Sequence, residues 1–117
     1  MQDFQNLRVW QTAHAHTLAV YQATASFRTD ERFGLTSQLR RATASVPANL
    51  AEGCGRQTDA DFARFVQIAS GSNSEALYHL RLAHDLSYLD AGTFESLDAQ
   101  ARAVRRQLIA LLKRLRS

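Results

Sequence analysis

Apolar residues recur at alternating steps of three and four along most of the chain, and this spacing restricts the fold more than any other feature. It places apolar side chains along one side of an α-helix, because a helix turns once about every 3.6 residues. The two-residue alternation typical of strands never persists, and the turn motifs of β-hairpins are missing. An all-α protein is therefore expected.

Four segments carry this helical pattern, and short polar stretches separate them. The expected helices cover about residues 6–26, 33–52, 59–88 and 93–116. The last segment has a heptad seam, which is typical of helices that pack side by side. With 117 residues, the chain has the length of a single domain. Short links favour antiparallel neighbours, so we expect residues 1–117 to form one antiparallel four-helix bundle.

The segment SVPANLAEGCGR, residues 45–56, contains the only proline and the only cysteine. Its apolar residues continue the helical pattern, so Pro47 is expected inside the second helix, where it removes one hydrogen bond and produces a kink. Gly53 and Gly55 are expected to end this helix by adopting positive φ. Thr58 is expected to cap the third helix. No strand precedes the glycines, so a phosphate-binding loop is not predicted.

Glu52 lies in the last expected turn of the second helix, where a negative charge opposes the helix dipole. This position favours a cationic partner. Arg56 is the nearest in sequence, and an arginine from another helix or subunit is the alternative. We expect the polar pair Glu52 and Arg56 to hold helices or subunits in register rather than to act in catalysis.

The cysteine content and hydropathy favour a cytoplasmic protein. Cys54 is alone and cannot form a disulfide within the chain, which is typical of a reducing compartment. No stretch approaches the ~20 apolar residues of a membrane span, and the first residues do not resemble a secretion signal. Contact with a membrane is not expected.

Two of the expected helices carry more apolar surface than a single four-helix core requires. Ile109 and Leu112 widen the apolar side of the last helix, and the middle of the third helix, IASGSNS at residues 68–74, is made of small residues. Excess apolar surface of this kind usually marks a subunit interface. We therefore expect a homo-oligomer.

The last helix carries a stripe of cations. At about 100° per residue, five of its basic residues lie within one arc of about 100°, roughly opposite the heptad seam. They are Arg102, Arg105, Arg106, Lys113 and Arg116. Such a stripe is suited to binding the phosphates of a nucleic acid. The alternative is a solvated helix face whose cations suit the negative end of the helix dipole.

Three further arginines are secondary candidates for phosphate binding. They are Arg40, Arg41 and Arg56. The alternative interpretation is that these arginines pair with neighbouring carboxylates, and the sequence leaves both interpretations open.

The sequence contains no recognisable catalytic or metal-binding motif. His14 and His16 point away from each other on a helix, and His79 and His84 are also out of register, so neither pair can chelate one ion. No serine lies in a nucleophile elbow. We expect a non-enzymatic protein with no catalytic residues, metal or cofactor.

Three segments resemble a known family. They are FQNLRVWQTAH, ERFGLTSQLRRATASVPANLAEGCGR and FARFVQIASGSNSEALYHLRLAHDLSYL. They are similar to the bacterial four-helix bundle proteins first recognised as products of intervening sequences within 23S rRNA genes. The resemblance covers roughly residues 4–89, and the last helix matches mainly in character. Thr17 and Thr24 depart from it, since the family more often has larger or differently polar residues there.

This resemblance implies a left-handed up-down-up-down bundle that assembles into a ring-shaped homopentamer. It also implies kinship with the accessory proteins of diversity-generating retroelements, which are similar pentamers that bind nucleic acid and a reverse transcriptase through basic surfaces. Members of the family proper have no established activity. We therefore expect a scaffold that binds RNA or DNA, or a protein that handles nucleic acid; the alternative is a protein-binding adaptor without nucleic-acid contact.

Overall fold

The computed structural model describes residues 3–117, and within them it contains four α-helices and no β-strand. The helices are α1 (Arg8–Thr24), α2 (Leu35–Cys54), α3 (Asp59–Asp85) and α4 (Ala91–Arg116). The prediction of an all-α fold is confirmed. In the described part of the chain, no helix has an apolar stretch that would reach across a lipid bilayer.

The four helices pack in a cyclic order. Each helix packs against its two neighbours, and α4 closes back onto α1. Within residues 3–117, the backbones of the diagonal pairs, α1 with α3 and α2 with α4, do not come within 8 Å of each other between Cα atoms. One apolar cluster, around Leu50 and Leu108, fills the end that holds the chain termini. A second cluster, around Leu39 and Leu80, fills the other end. This order places α2 and α4 at opposite corners of the molecule.

A level of buried polar side chains separates the two apolar clusters. It is formed by His16, Thr17, Thr43 and Asn73. Nδ2 of Asn73 donates a hydrogen bond to the carbonyl oxygen of Ala101 at 3.0 Å, which joins α3 to α4. Nδ1 of His16 lies 2.9 Å from Oε1 of Gln100, which joins α1 to α4. The helix α4 is therefore attached to both of its neighbours by polar contacts at mid-height.

Several helix ends differ from the predicted ones by two or three residues. Residues Phe4–Asn6 form a 3₁₀ turn, so α1 begins only at Arg8. The side chain of Asp90 accepts a hydrogen bond from the backbone N–H of Thr93 at 2.7 Å, so α4 begins earlier, at Ala91. The predicted cap at Thr58 is present, since its Oγ1 accepts from the N–H of Asp61 at 3.1 Å.

The third helix ends at Asp85, three residues before the predicted end. Ser87 adopts a φ of 65°, the left-handed conformation in which a helix cannot continue. The N–H of Tyr88 bonds the carbonyl of Ala83, and the N–H of Ser87 bonds that of His84. These two bonds form a Schellman motif, which usually has glycine where this chain has serine, and this explains the incorrect prediction.

The predicted exit of α2 through positive φ at Gly53 and Gly55 is wrong. The helix includes Gly53 and ends at Cys54, and Gly55 has a φ of −83°. Gly53 serves close packing instead, because a Cβ at this position would lie 2.8 Å from Cδ1 of Phe62 and 3.1 Å from Cβ of Phe65. A glycine at residue 53 therefore lets α2 and α3 approach each other closely.

Pro47 lies inside α2, as predicted, and the helix continues through it. Because proline has no N–H, the carbonyl of Thr43 loses its usual helical donor. The hydroxyl of Thr17 in α1 shares its hydrogen between the carbonyl of Ala13, at 2.8 Å, and that of Thr43, at 3.4 Å. Thr17, one of the two threonines that depart from the family pattern, therefore donates a hydrogen bond to the carbonyl that Pro47 leaves without a helical donor.

One carboxylate joins the two connections at the end opposite the termini. Oε1 of Glu31 accepts from the N–H of Leu35 at 3.2 Å and so caps α2. Oε2 of the same residue accepts from the hydroxyl of Tyr88 at 2.8 Å. Glycine at residue 34 leaves room for the carboxylate, since a Cβ there would lie 2.7 Å from Oε1 of Glu31. The α1–α2 and α3–α4 connections are therefore fastened to each other.

Candidate functional site

The outward side of α4 carries exposed cations that lack carboxylate partners. We call Arg105, Arg106, Lys113 and Arg116 the α4 stripe. Within residues 3–117, none of the four lies in an ion pair with a carboxylate. Their charges are therefore available to an external anion.

Arg102, the fifth predicted member of this surface, is partly neutralised. Its Nε lies 2.8 Å from Oδ2 of Asp98, one helical turn earlier. An exposed pair of this kind contributes little to stability, but the carboxylate reduces the positive potential at this end of the stripe.

Arg40 takes part in contacts within the chain. Its Nε donates to the hydroxyl of Thr24 at 2.7 Å, and its Nη2 donates to the carbonyl of Tyr21 at 3.1 Å. Its guanidinium also lies over the ring of Tyr21, 4.5 Å from the ring centre. Arg40 therefore helps to hold α2 against α1, and Thr24, the second departure from the family pattern, is its partner.

The pair Glu52 and Arg56 is present within the chain. Nη2 of Arg56 lies 3.3 Å from Oε1 of Glu52, and its Nε lies 3.9 Å from Oδ2 of Asp61. The guanidinium also lies over the ring of Phe65, at 4.5 Å. Arg56 therefore connects the end of α2 with the start of α3, and its charge is partly balanced by two carboxylates.

The eight cations predicted to bind nucleic acid do not form one surface on a single chain. Arg40, Arg41 and Arg56 belong to α2 or follow it directly, whereas the α4 stripe lies at the opposite corner. Arg41 is exposed on the side of α2 that faces α3. Within residues 3–117, α4 is therefore the one helix that supplies a continuous set of cations without carboxylate partners.

Two further arginines line one cavity at the seam between α1 and α4, and neither belongs to the predicted set of cations. Arg8 and Arg114 line an open cavity of about 580 Å³, together with Asn6 and Gln107. Arg114 lies off the predicted stripe, and Arg8 lies at the start of a different helix. Only the packing of α1 against α4 brings the two together, so helical periodicity alone could not have found this site.

A second cavity, of about 440 Å³, lies between α2 and α3. We call it the α2–α3 groove, and its walls include Phe33, Ser37, Arg41, Ser45, Ser72 and Glu75. The hydroxyls of Ser45 and Ser72 bond each other at 2.8 Å. Phe33 is 87% exposed, the largest exposed fraction among the large apolar side chains that the structure describes.

The buried histidines are packed in the bundle. Burial lowers the pKa of His16 below its usual 6.5, and the hydrogen bond to Gln100 counteracts part of this effect. Nε2 of His79 lies 3.0 Å from Oε2 of Glu75. Within residues 3–117, no three histidine, cysteine or acidic side chains come close enough together to hold a metal ion. Burial also raises the pKa of the Cys54 thiol, which is 2% exposed.

The family model for 23S rRNA-intervening sequence proteins matches residues 5–110. The chain belongs to this family. The resemblance inferred from the three quoted segments is therefore confirmed. The matched range includes α1, α2 and α3 and ends inside α4, so Lys113 and Arg116 lie beyond it.

A solved structure shares the fold of this family member. The crystal structure of a protein of unknown function from the S23 ribosomal protein family of Bacteroides thetaiotaomicron superimposes with a TM-score of 0.81. The two chains are 23% identical, and the alignment covers 90% of this chain and 98% of the other. No curated protein sequence matches this chain.

Proposed function

We propose that the protein is a non-enzymatic cytoplasmic scaffold that binds RNA or DNA through the α4 stripe. In this proposal the chain is an up-down-up-down four-helix bundle and assembles into a ring-shaped homopentamer. Arg102 is an accessory member of the binding surface, and Arg8 and Arg114 extend it. Arg40, Arg41 and Arg56 contribute only through neighbouring copies, since they lie on the far side of their own chain.

Contacts between the helices support the alternating direction. Along α1 and α2, Thr24 meets Arg40 while Thr17 meets Thr43, so residue numbers rise along one helix as they fall along the other. Asn73 meets Ala101, and Phe94 lies 4.4 Å from His84 by their ring centres, which is the same relation between α3 and α4. Short connections join the helices of both pairs.

The observation that carries the proposal is the set of unpaired cations on α4. Each phosphate that such a cation neutralises releases condensed counterions, so the binding free energy depends steeply on salt. Three of the four are arginines, whose planar guanidinium groups suit phosphate oxygens. A cation already paired with a carboxylate would gain less from a phosphate, and the α4 stripe has no such partner in residues 3–117.

The test is a salt titration of binding to duplex DNA and to structured RNA. The stripe variant replaces Arg105, Arg106, Lys113 and Arg116 with Gln. The control variant replaces Arg28, Arg32, Arg64 and Arg81 with Gln, and both variants change the formal net charge from +3 to −1. Loss of four phosphate contacts lowers the slope of log K against log salt by about 3 to 4 for duplex DNA.

The proposal requires the stripe variant to lose this slope while the control variant keeps it. Equal losses in both variants would indicate a general charge effect, and no binding at low salt by the parent protein would overturn the proposal.

The exposed Phe33 and the α2–α3 groove favour a protein-binding adaptor as the second candidate. Recovery of one protein partner from a nuclease-treated lysate, with no nucleic-acid binding, supports that candidate.

A further inference from the structure

An open cavity with two arginines lies where the start of α1 packs beside the last turns of α4. We call it the α1–α4 cavity, and its volume is about 580 Å³. Its wall on α4 extends from Gln107 to Arg114, a distance of about 10 Å along the helix. A cavity of this volume is large enough for a small organic ligand.

The charges at this cavity are not neutralised within the chain. Arg8 and Arg114 are exposed, and within residues 3–117 neither forms an ion pair with a carboxylate. No acidic residue occurs between Asp3 and Asp30 or after Asp98, so α1 and the second half of α4 contain no acidic side chain. The electrostatic potential in the cavity is therefore positive, which favours an anionic ligand.

The backbone at the start of α1 adds to this positive potential. Leu7 provides no side-chain cap for the helix, and the first turn of α1 contains no acidic residue. The N–H groups of Arg8 and Val9 therefore have no helical acceptor, and both residues line the cavity. Free N–H groups at a helix start favour phosphate oxygens. They assist the two guanidinium groups, which come from different helices and define the site.

The wall on α4 contains an acceptor without a donor. Gln107 lines the cavity between the two arginines, and its Oε1 is buried and accepts no hydrogen bond within residues 3–117. A buried amide oxygen without a partner is unfavourable, and a hydroxyl or amino group of a ligand can satisfy it. The cavity therefore suits a ligand that has anionic oxygens for the arginines and a hydrogen-bond donor for the glutamine.

The remaining wall of the cavity is mainly apolar. Leu7, Val9 and Leu111 line it, and their exposed fractions are 8%, 4% and 4%. Binding sites for small organic molecules usually combine such an apolar wall with a few polar groups that fix the orientation of the ligand. The organic part of a ligand can therefore lie against these side chains while its charged group remains at the arginines.

We propose that the α1–α4 cavity binds a phosphate monoester of nucleotide size. Arg8 and Arg114 bind the phosphate, and Gln107 accepts from a hydroxyl or amino group of the ligand. A monoester carries about −1.5 to −2 charges at neutral pH, which matches two guanidinium groups, whereas each backbone phosphate of a nucleic acid carries one. The inference goes beyond the proposed function, because it requires neither the α4 stripe nor self-association.

Calorimetric titration at low salt, in a buffer without phosphate, tests this site. The probes are adenosine monophosphate, adenosine and the cyclic monophosphate of adenosine, which is a diester with one charge. The cavity variant is Arg8→Gln/Arg114→Gln. The control variant is Arg105→Gln/Arg106→Gln, which removes two cations of the α4 stripe instead. Both variants lower the formal net charge from +3 to +1, and all four arginines are exposed, so folding should not change.

The parent protein should bind adenosine monophosphate at least about tenfold more tightly than either other probe. The cavity variant should raise the dissociation constant about 100-fold, about tenfold for each guanidinium lost, and the control variant should leave it nearly unchanged. Gln107→Leu should raise it about fivefold for the nucleotide and leave the affinity for inorganic phosphate unchanged.

Three results would overturn the proposal: no binding of the monophosphate by the parent protein, equal binding of the cyclic diester, or equal losses in the cavity and control variants. A short oligonucleotide with and without a terminal phosphate distinguishes the two sources of the ligand. Tighter binding of the phosphorylated strand than of the free nucleotide assigns the site to a strand end, and tighter binding of the nucleotide assigns it to the free molecule. Nucleic-acid binding by the α4 stripe can fail without changing the nucleotide titrations.

Discussion

The helices α2 and α4 occupy opposite corners of one bundle, yet their sequences are restricted in different ways. Individual positions of α2 have individual partners, as Gly53 has with Phe62 and Arg40 has with Thr24. The outward half of α4 instead carries several similar cations without partners in the described chain. Substitutions on α2 should therefore disturb folding, whereas substitutions on the α4 stripe should leave folding unchanged.

The largest effect is expected at Gly53. Gly53→Val should lower the free energy of unfolding by about 3 kcal/mol, because the added side chain collides with Phe62 and Phe65 and valine is unfavourable in a helix. Urea unfolding followed by far-UV circular dichroism at fixed protein concentration measures this change.

The matching glycine in α4 provides the control for this substitution. A Cβ at Gly92 would meet Oδ1 of Asp90 at 3.6 Å, an ordinary contact. Gly92→Ala should therefore leave the free energy of unfolding unchanged or raise it by up to about 1 kcal/mol, because alanine has the better helix propensity. Equal unfolding midpoints for Gly53→Val and the parent chain would remove the contrast between the two helices.

A smaller effect is expected where α1 compensates for the proline of α2. Thr17→Val keeps the shape of the side chain but removes the hydroxyl near the carbonyl of Thr43, and should cost about 1 kcal/mol. In a Pro47→Ala background the new N–H can bond this carbonyl, so Thr17→Val should cost less there. A double-mutant cycle measures the difference, and equal costs in both backgrounds would show that the hydroxyl does not serve Pro47.

The smallest effect concerns the attachment of α4 through His16. Because burial lowers the pKa of His16, the folded chain resists a proton that the unfolded chain accepts below about pH 6.5. The contribution of neutral His16 to stability is complete above that pH and declines as the pH falls, by less than about 1.4 kcal/mol per unit.

Unfolding free energies measured from pH 7 to pH 5 test this prediction. His16→Gln should remove the decline, whereas His14→Gln, an exposed position two residues earlier, should leave it in place. Hydrogen exchange should show α4 loosening first in acid, with α2 still protected. A decline of the same size in His16→Gln would assign the pH dependence to other groups.

The sequence predicted the helices well because apolar periodicity reports directly which side of each helix is buried. It failed where a backbone conformation or a tertiary contact determined the outcome. Serine occupies the left-handed position after α3, where glycine is the usual signal. Gly53 was predicted to end α2, but a glycine is needed there because the ring of Phe62 leaves no room for a Cβ. Phe62 follows Gly53 by nine residues and belongs to α3.

In the candidate site, too, the sequence predicted what spacing within one helix determines and missed what contacts between helices determine. The cation stripe follows from spacing within one helix, so the sequence was sufficient to find it. The contact of Arg40 with Tyr21 depends on the packing of α2 against α1, which spacing within one helix does not reveal. The pairing of Arg102 with Asp98, four residues earlier on α4, does follow from helical spacing. The cavity between Arg8 and Arg114 joins the two ends of the chain, and no local pattern connects residues so far apart.

The carboxylate of Glu31 has a consequence for sliding motions. Two helical hairpins that pack along their length can slip past each other by a turn, about 5.4 Å, while keeping apolar residues in contact. Such a slip would pull Tyr88 away from Glu31, whose other oxygen is held by the first turn of α2. Glu31 thus acts as an axial stop between the α1–α2 connection and the α3–α4 connection.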